Sequence, residues 1–114
     1  MSKELIAKLR KSREFEVAVG TITFICRRPT DGDAVAWHRD GASFSDLTKR
    51  CVIGWSGVTE NDITGNGVND PADFSPELWA EWVVDRSDFW EPLATKILDA
   101  YQRHAAEVEE RRKN

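Results

Sequence analysis

The chain has 114 residues, of which 40% are hydrophobic and 32% charged, and its formal net charge is −4. A chain of this length holds one domain, buries roughly 65% of its unfolded surface, and has a composition that excludes wholesale disorder. The acidic balance argues against a dedicated nucleic-acid binder, which needs Lys and Arg gathered on one face to release counterions.

Residues 3–11 set Leu5, Ile6 and Leu9 on one side of a short amphipathic helix, with Lys3, Glu4, Lys8 and Arg10 around them. A helix so short is marginal in water unless it docks. Residues 14–27 (EFEVAVGTITFICR) alternate with period two around Gly20-Thr21, a pair suited to a type II′ turn. That turn pairs Val19 with Ile22, Val17 with Phe24 and Phe15 with Cys26, with all six side chains on one face, and sets Glu14 opposite Arg27. An isolated hairpin is marginal in water, so helices must cover its apolar face, and the final helix is the preferred cover.

Residues 30–55 read as two short helices. Arg28-Pro29 stops the strand, Thr30 with Asp33 forms a weak version of the capping box, and Gly41 ends the first helix. Ser43 or Ser45 starts the second, over 44–53, with Phe44, Leu47, Cys51 and Trp55 at spacings of three and four and Gly54 closing it. Residues 56–75 lose all periodicity and read as an irregular loop rich in Asn, Asp and Gly, of a length that tends to be either functional or mobile.

Ser75-Pro76 supplies an N-cap and a first-turn proline for a helix over 76–85, striped with Leu78, Trp79, Trp82 and Val83. The final helix is expected over 88–108, with Pro92 delaying regular hydrogen bonding. Phe89, Trp90, Leu93, Ala94, Ile97, Leu98 and Tyr101 give it a wide apolar face, followed by a charged tail. The fold class is therefore α+β, a single domain over 1–114: an N-terminal β-hairpin packed against a predominantly helical body with a long C-terminal helix.

Little in the chain points to chemistry. Cys26 and Cys51 lie in apolar runs, match no zinc spacing and read as buried free thiols in a reducing compartment. His38 and His104 lack a His or Cys at i+3 or i+4. The acidic loop fails the EF-hand pattern, since a start at Asn61 puts Ile63 and Gly65 at the third and fifth positions. No catalytic residue, cofactor site or metal site is expected. The N-terminus lacks the apolar stretch of a secretion signal and no segment could span a bilayer, so a cytoplasmic protein without membrane partners is expected.

Five tryptophans in 114 residues are the conspicuous feature. Aromatic stripes at helical spacing are most often core, but a domain this small can hide only a few such side chains, and Trp is enriched at interaction hot spots. Trp79 and Trp82, with Leu78 and Trp55, are the candidate partner-binding residues, while Trp90 belongs with the core stripe.

The order of landmarks resembles a known family. A hairpin ends in Arg27-Arg28-Pro29-Thr30, and a short helix runs into VIGWSGV (52–58). After the loop come DFSPELWAEWVVDR (73–86) and WEPLATKILDAY (90–101). This order resembles the small tail assembly chaperones of long-tailed bacteriophages and prophages over roughly residues 14 to 103. The resemblance implies a non-enzymatic protein of the bacterial host cytoplasm that binds the tape measure protein, helps recruit tail-tube subunits and is absent from the finished virion. Its long Asn/Gly-rich loop and charged C-terminal extension depart from the family pattern. A structural tail-completion or connector subunit is the alternative, and a small metal-dependent regulator using His38, Cys51 or the acidic loop is a further one.

Overall fold

The computed structural model describes residues 2–113. Along the chain lie α1 (Ser2–Ser12), β1 (Glu14–Val19), β2 (Ile22–Arg27), α2 (Asp31–Asp40), α3 (Phe44–Cys51), β3 (Val52–Ser56), α4 (Glu60–Thr64), α5 (Pro76–Val83) and α6 (Ser87–Lys113). The arrangement is the expected α+β one, with a hairpin at the N-terminal side and a long final helix.

The hairpin has the register that its alternation dictates: Glu14 faces Arg27, Phe15 faces Cys26, Val17 faces Phe24 and Val19 faces Ile22. Gly20 takes φ +61° and among the described residues no non-glycine residue, Thr21 included, has a positive φ, the combination a type II′ turn requires. Val17, Ile22, Phe24 and Cys26 are buried, and Phe15 and Val19 pack against them. The final helix covers this face, with the rings of Phe24 and Phe89 edge-on at 5.2 Å.

Two short elements depart from the sequence-based expectation. The second helix ends at Cys51, and Val52–Ser56, expected as the end of that helix and the start of a loop, form a third strand antiparallel to β2. The outer edge of β2 offers unpaired N–H and C=O groups, and the β-branched Val52 and Ile53 followed by Gly54 suit an extended chain better than a helix. Pairing slips by one residue between Ile25 and Cys26, which face Gly54 and Val52, so that Ile53 is the extra residue of a bulge.

The segment expected as irregular is ordered by hydrogen bonds of its own. Thr59 and Asp62 form a capping box that starts α4, and Gly65 ends it at φ +72°. The Glu60 N–H donates to the Asp70 carbonyl (2.9 Å), Asn61 N–H to Val68 (2.7 Å) and Ala72 N–H to Val58 (2.9 Å), which folds the loop back on itself. Trp55 then anchors it, its indole Nε1–H donating to the Ala72 carbonyl at 2.8 Å.

The other boundaries follow local chemistry. Thr30 with Asp33 and Ser43 with Asp46 complete capping boxes, and Gly41 closes α2 in the left-handed region. Ser75 caps α5, with Pro76 in its first turn. Pro92 lies within α6 without interrupting it, and the charged tail stays helical to Lys113. At 27 residues α6 is about 40 Å long. Its last turns overhang the body: the radius of gyration is 15.8 Å, against about 13 Å for a compact domain of this length.

Candidate protein-binding surfaces

Once β3 is in place, the tryptophans have a different role from the one their spacing proposes. Trp55 projects from β3 toward α5, where its ring meets Trp79 edge-on at 6.0 Å, Trp82 at 5.6 Å and Phe74 at 4.9 Å. Trp79 also lies 5.3 Å from Phe24, and Trp82 lies 5.4 Å from Phe89. Each edge-to-face pair adds about 0.5–1.5 kcal/mol to the area buried. Trp79 is 0% exposed and Trp82 6%. Neither presents a face to a partner: both are core, and Leu78 and Trp55 are half-buried beside them. Phe24 of β2, Phe89 of α6 and Thr48 of α3 cover this stripe together with Trp55, and the unexpected strand β3 is what adds Trp55 to that cover. Three indoles also have backbone acceptors: Thr48 for Trp79 (3.0 Å), Ala72 for Trp55 (2.8 Å) and Val83 for Trp90 (2.8 Å).

The candidate chemical groups are equally specific in their placement. Cys26 and Cys51 are both 0% exposed and both free. Burial pushes the Cys26 thiol up to about 12, with the neighbouring Cys51 adding to the effect. Cys51 rises to about 11, again through burial, with Arg27 partly opposing. His38 is exposed on α2. His104 stands 3.5 Å from Asp31, whose carboxylate also accepts the Tyr101 hydroxyl at 2.9 Å, so these groups tie α6 to the first turn of α2. Among the described residues, no group of three or more His, Cys, Asp and Glu is placed to hold a metal ion.

The exposed apolar surface lies elsewhere. Helix α1 buries none of its residues; Leu5 is 69% exposed, Ile6 47% and Leu9 51%. It is joined to the body at its C-terminal end, where the Arg28 N–H donates to the Arg13 carbonyl at 2.9 Å. The stripe was legible in the sequence; that it stays uncovered was not. A second apolar surface is a groove of about 340 Å³ between α2, α3 and α6, lined by Pro29, Ala34, Trp37, Leu47, Leu98 and Tyr101. Trp37 is held there by Arg27 and Arg50, whose guanidinium carbons lie 5.8 and 5.2 Å from its ring centre. Sequence reasoning assigned Trp37 no role. Its available signal was an aromatic residue on a helix with almost no other large apolar side chain.

No protein family profile matches the chain, and neither a characterised protein nor a solved structure does. No helix among the described residues is long and apolar enough to cross a membrane.

Proposed function

We propose that this protein is a small, non-enzymatic tail assembly chaperone of a long-tailed phage or prophage. It binds helical segments of the tape measure protein in the host cytoplasm and helps bring tail-tube subunits to them. The observation that carries this reading is α1: an amphipathic helix whose Leu5, Ile6 and Leu9 stay exposed. Such a face is stable in water only at a cost, and it suits the pairing of one amphipathic helix with another. The landmark order from the hairpin through Gly54-Trp55-x-Gly57-Val58 to Phe74-Ser75, which resembles that family, supports the tape measure protein as the partner. The groove at Trp37 is a second surface for a helical partner.

The experiment is co-purification of the full chain with helical fragments of the tape measure protein encoded beside it. Binding that is lost in the Leu5→Ser/Ile6→Ser/Leu9→Ser variant supports the reading. Failure to bind any fragment overturns it. Recovery of the protein in purified particles would replace it with a structural tail subunit, since a chaperone is left out of the finished virion.

A further inference from the structure

A wide cleft of about 770 Å³ runs between the end of α1, the outer strand β1 and the distal half of α6. Its apolar floor includes Leu9, Phe15 and Ala100, and its walls carry Arg13, Arg28 and Arg103. Arg13 Nε is a buried donor without a hydrogen-bond acceptor, the one such side-chain atom among the described residues. The Arg28 guanidinium is pushed below its ordinary range, first by burial and then by the like charge of Arg13, with Asp31 and Glu107 partly opposing. Its Nη1 donates to the Pro29 carbonyl at 3.0 Å. Four carboxylates share the cleft: Glu14, Glu16, Asp99 and Glu107. Among the described residues none of them forms an ion pair with Arg13, Arg28 or Arg103, and Glu14 pairs with Lys11 at 3.5 Å.

Charge is also segregated along the chain. Helix α1 brings Lys3, Lys8, Arg10 and Lys11 against the single acid Glu4, whereas the whole chain carries −4. Arg13, Arg28 and Arg103 line one cleft, and each guanidinium is a planar fork of donors whose best complement is a carboxylate.

We infer that the cleft between α1, β1 and α6 is a docking seat for an acidic amphipathic helix of a partner protein, whose carboxylates pair with Arg13, Arg28 and Arg103 while its apolar stripe lies against Leu9, Phe15 and Ala100. The inference deepens the protein-binding reading above and rests on it only for the identity of the partner. Side chains of such a helix reach both the basic walls and the apolar floor at once, which neither a small anion nor an uncharged helix does.

The test uses the full chain and two synthetic helical peptides with the same leucine stripe, flanked in one by Glu and in the other by Lys. Binding is followed by NMR through the Arg13 Hε resonance and by calorimetry at two salt concentrations. The Glu peptide is expected to bind about tenfold or more tightly than the Lys peptide, to shift Arg13 Hε, and to weaken as salt rises. Arg28→Gln and Arg103→Gln are each expected to lower its affinity severalfold, and because Arg103 is exposed the result does not depend on an Arg13 or Arg28 variant folding. Equal binding of the two peptides, or affinity unchanged in both variants, overturns the inference. Tape measure fragments that bind without any preference for acidic flanks would remove this seat and leave the proposed function standing. Glu-peptide binding in the cleft without any tape measure binding would do the reverse.

Discussion

The indole Nε1–H of Trp79 donates to the carbonyl of Thr48 at 3.0 Å, and the same carbonyl accepts the backbone N–H of Val52. Trp79 and Thr48 are both 0% exposed. The bond joins α5 to the point where α3 ends and β3 begins, so one tryptophan holds together the two elements that the bare sequence separates by a loop. Trp79→Phe is expected to cost about 1–3 kcal/mol through the lost hydrogen bond and the smaller ring, and Trp79→Ala about 3–5 kcal/mol. Urea unfolding midpoints measure both. A near-neutral Trp79→Ala would contradict the placement of this residue in the core and return it to the list of partner contacts.

Gly57 makes a sharper test of the fold around β3. Its φ is +80°, and a Cβ added there would lie 2.7 Å from the Thr21 carbonyl oxygen in the hairpin turn. Strain and clash together predict a loss of at least about 2 kcal/mol for Gly57→Ala. Gly65 has a similar φ of +72° but open space around a Cβ, so Gly65→Ala should lose only about 1–2 kcal/mol, from conformation alone. Equal losses at the two positions would mean that β3 does not bring Gly57 against the hairpin. The Gly-Trp-x-Gly-Val element thus has a structural explanation: Gly57 permits close approach, Trp55 anchors the loop and Val58 is buried.

Stability should decline at both ends of the pH scale for different reasons. The thiols of Cys26 and Cys51 are raised to about 12 and about 11 in the folded chain from an ordinary value of 9.0. The unfolded chain therefore releases their protons first. The associated stability is complete below pH 9.0 and is lost as pH rises toward 11–12. Cys26→Ala/Cys51→Ala should flatten that alkaline slope, although it lowers stability at neutral pH by leaving cavities. Native thiols should also resist alkylation at neutral pH and react on unfolding.

At the acid end three carboxylates are held below the ordinary value of 3.8. Burial opposes this at Asp33, but the Thr30 backbone N–H, Arg27 and the Thr30 hydroxyl outweigh it. Asp46 is held low by the backbone N–H and hydroxyl of Ser43. Asp88 is held low by Arg86, which grips it with two bonds of 2.9 Å. A lowered carboxylate stabilises the fold above its unfolded value, and that contribution fades as pH falls through the folded one. Unfolding monitored below pH 4 should show this loss, and Thr30→Ala, which removes one cap, should cost about 1 kcal/mol at neutral pH.

The surface assigned to partner binding predicts a separation of stability from function. Because α1 buries none of its residues, Leu5→Ser/Ile6→Ser/Leu9→Ser should leave the unfolding free energy within about 0.5 kcal/mol of the parent. The same variant should lose partner binding. A large loss of stability would show that α1 docks on the body in solution.

The local elements were readable because each depends on neighbours in sequence. Period-two alternation and a Gly-X turn set the hairpin register residue by residue, and Thr30, Ser75 and Gly41 marked helix ends through backbone groups only a few residues away, while the choice between Ser43 and Ser45 was decided by the structure in favour of Ser43. The strand at 52–56 was not readable in the same way. Its short run of Val52, Ile53 and Gly54 is ambiguous until the free edge of β2 supplies hydrogen-bond partners, and that edge is more than twenty residues away in the chain.

That strand also contributes to the burial of the tryptophans, beside Phe24 and Phe89. The sequence alone determined that α5 carries an apolar stripe through Trp79 and Trp82, and that α1 carries one through Leu5, Ile6 and Leu9. Only the tertiary structure decided which stripe is covered. Periodicity reveals that a face is apolar, but burial depends on what distant elements deliver to it, and here β2, β3 and α6 deliver Phe24, Trp55 and Phe89 to α5, while none of the α1 residues is buried.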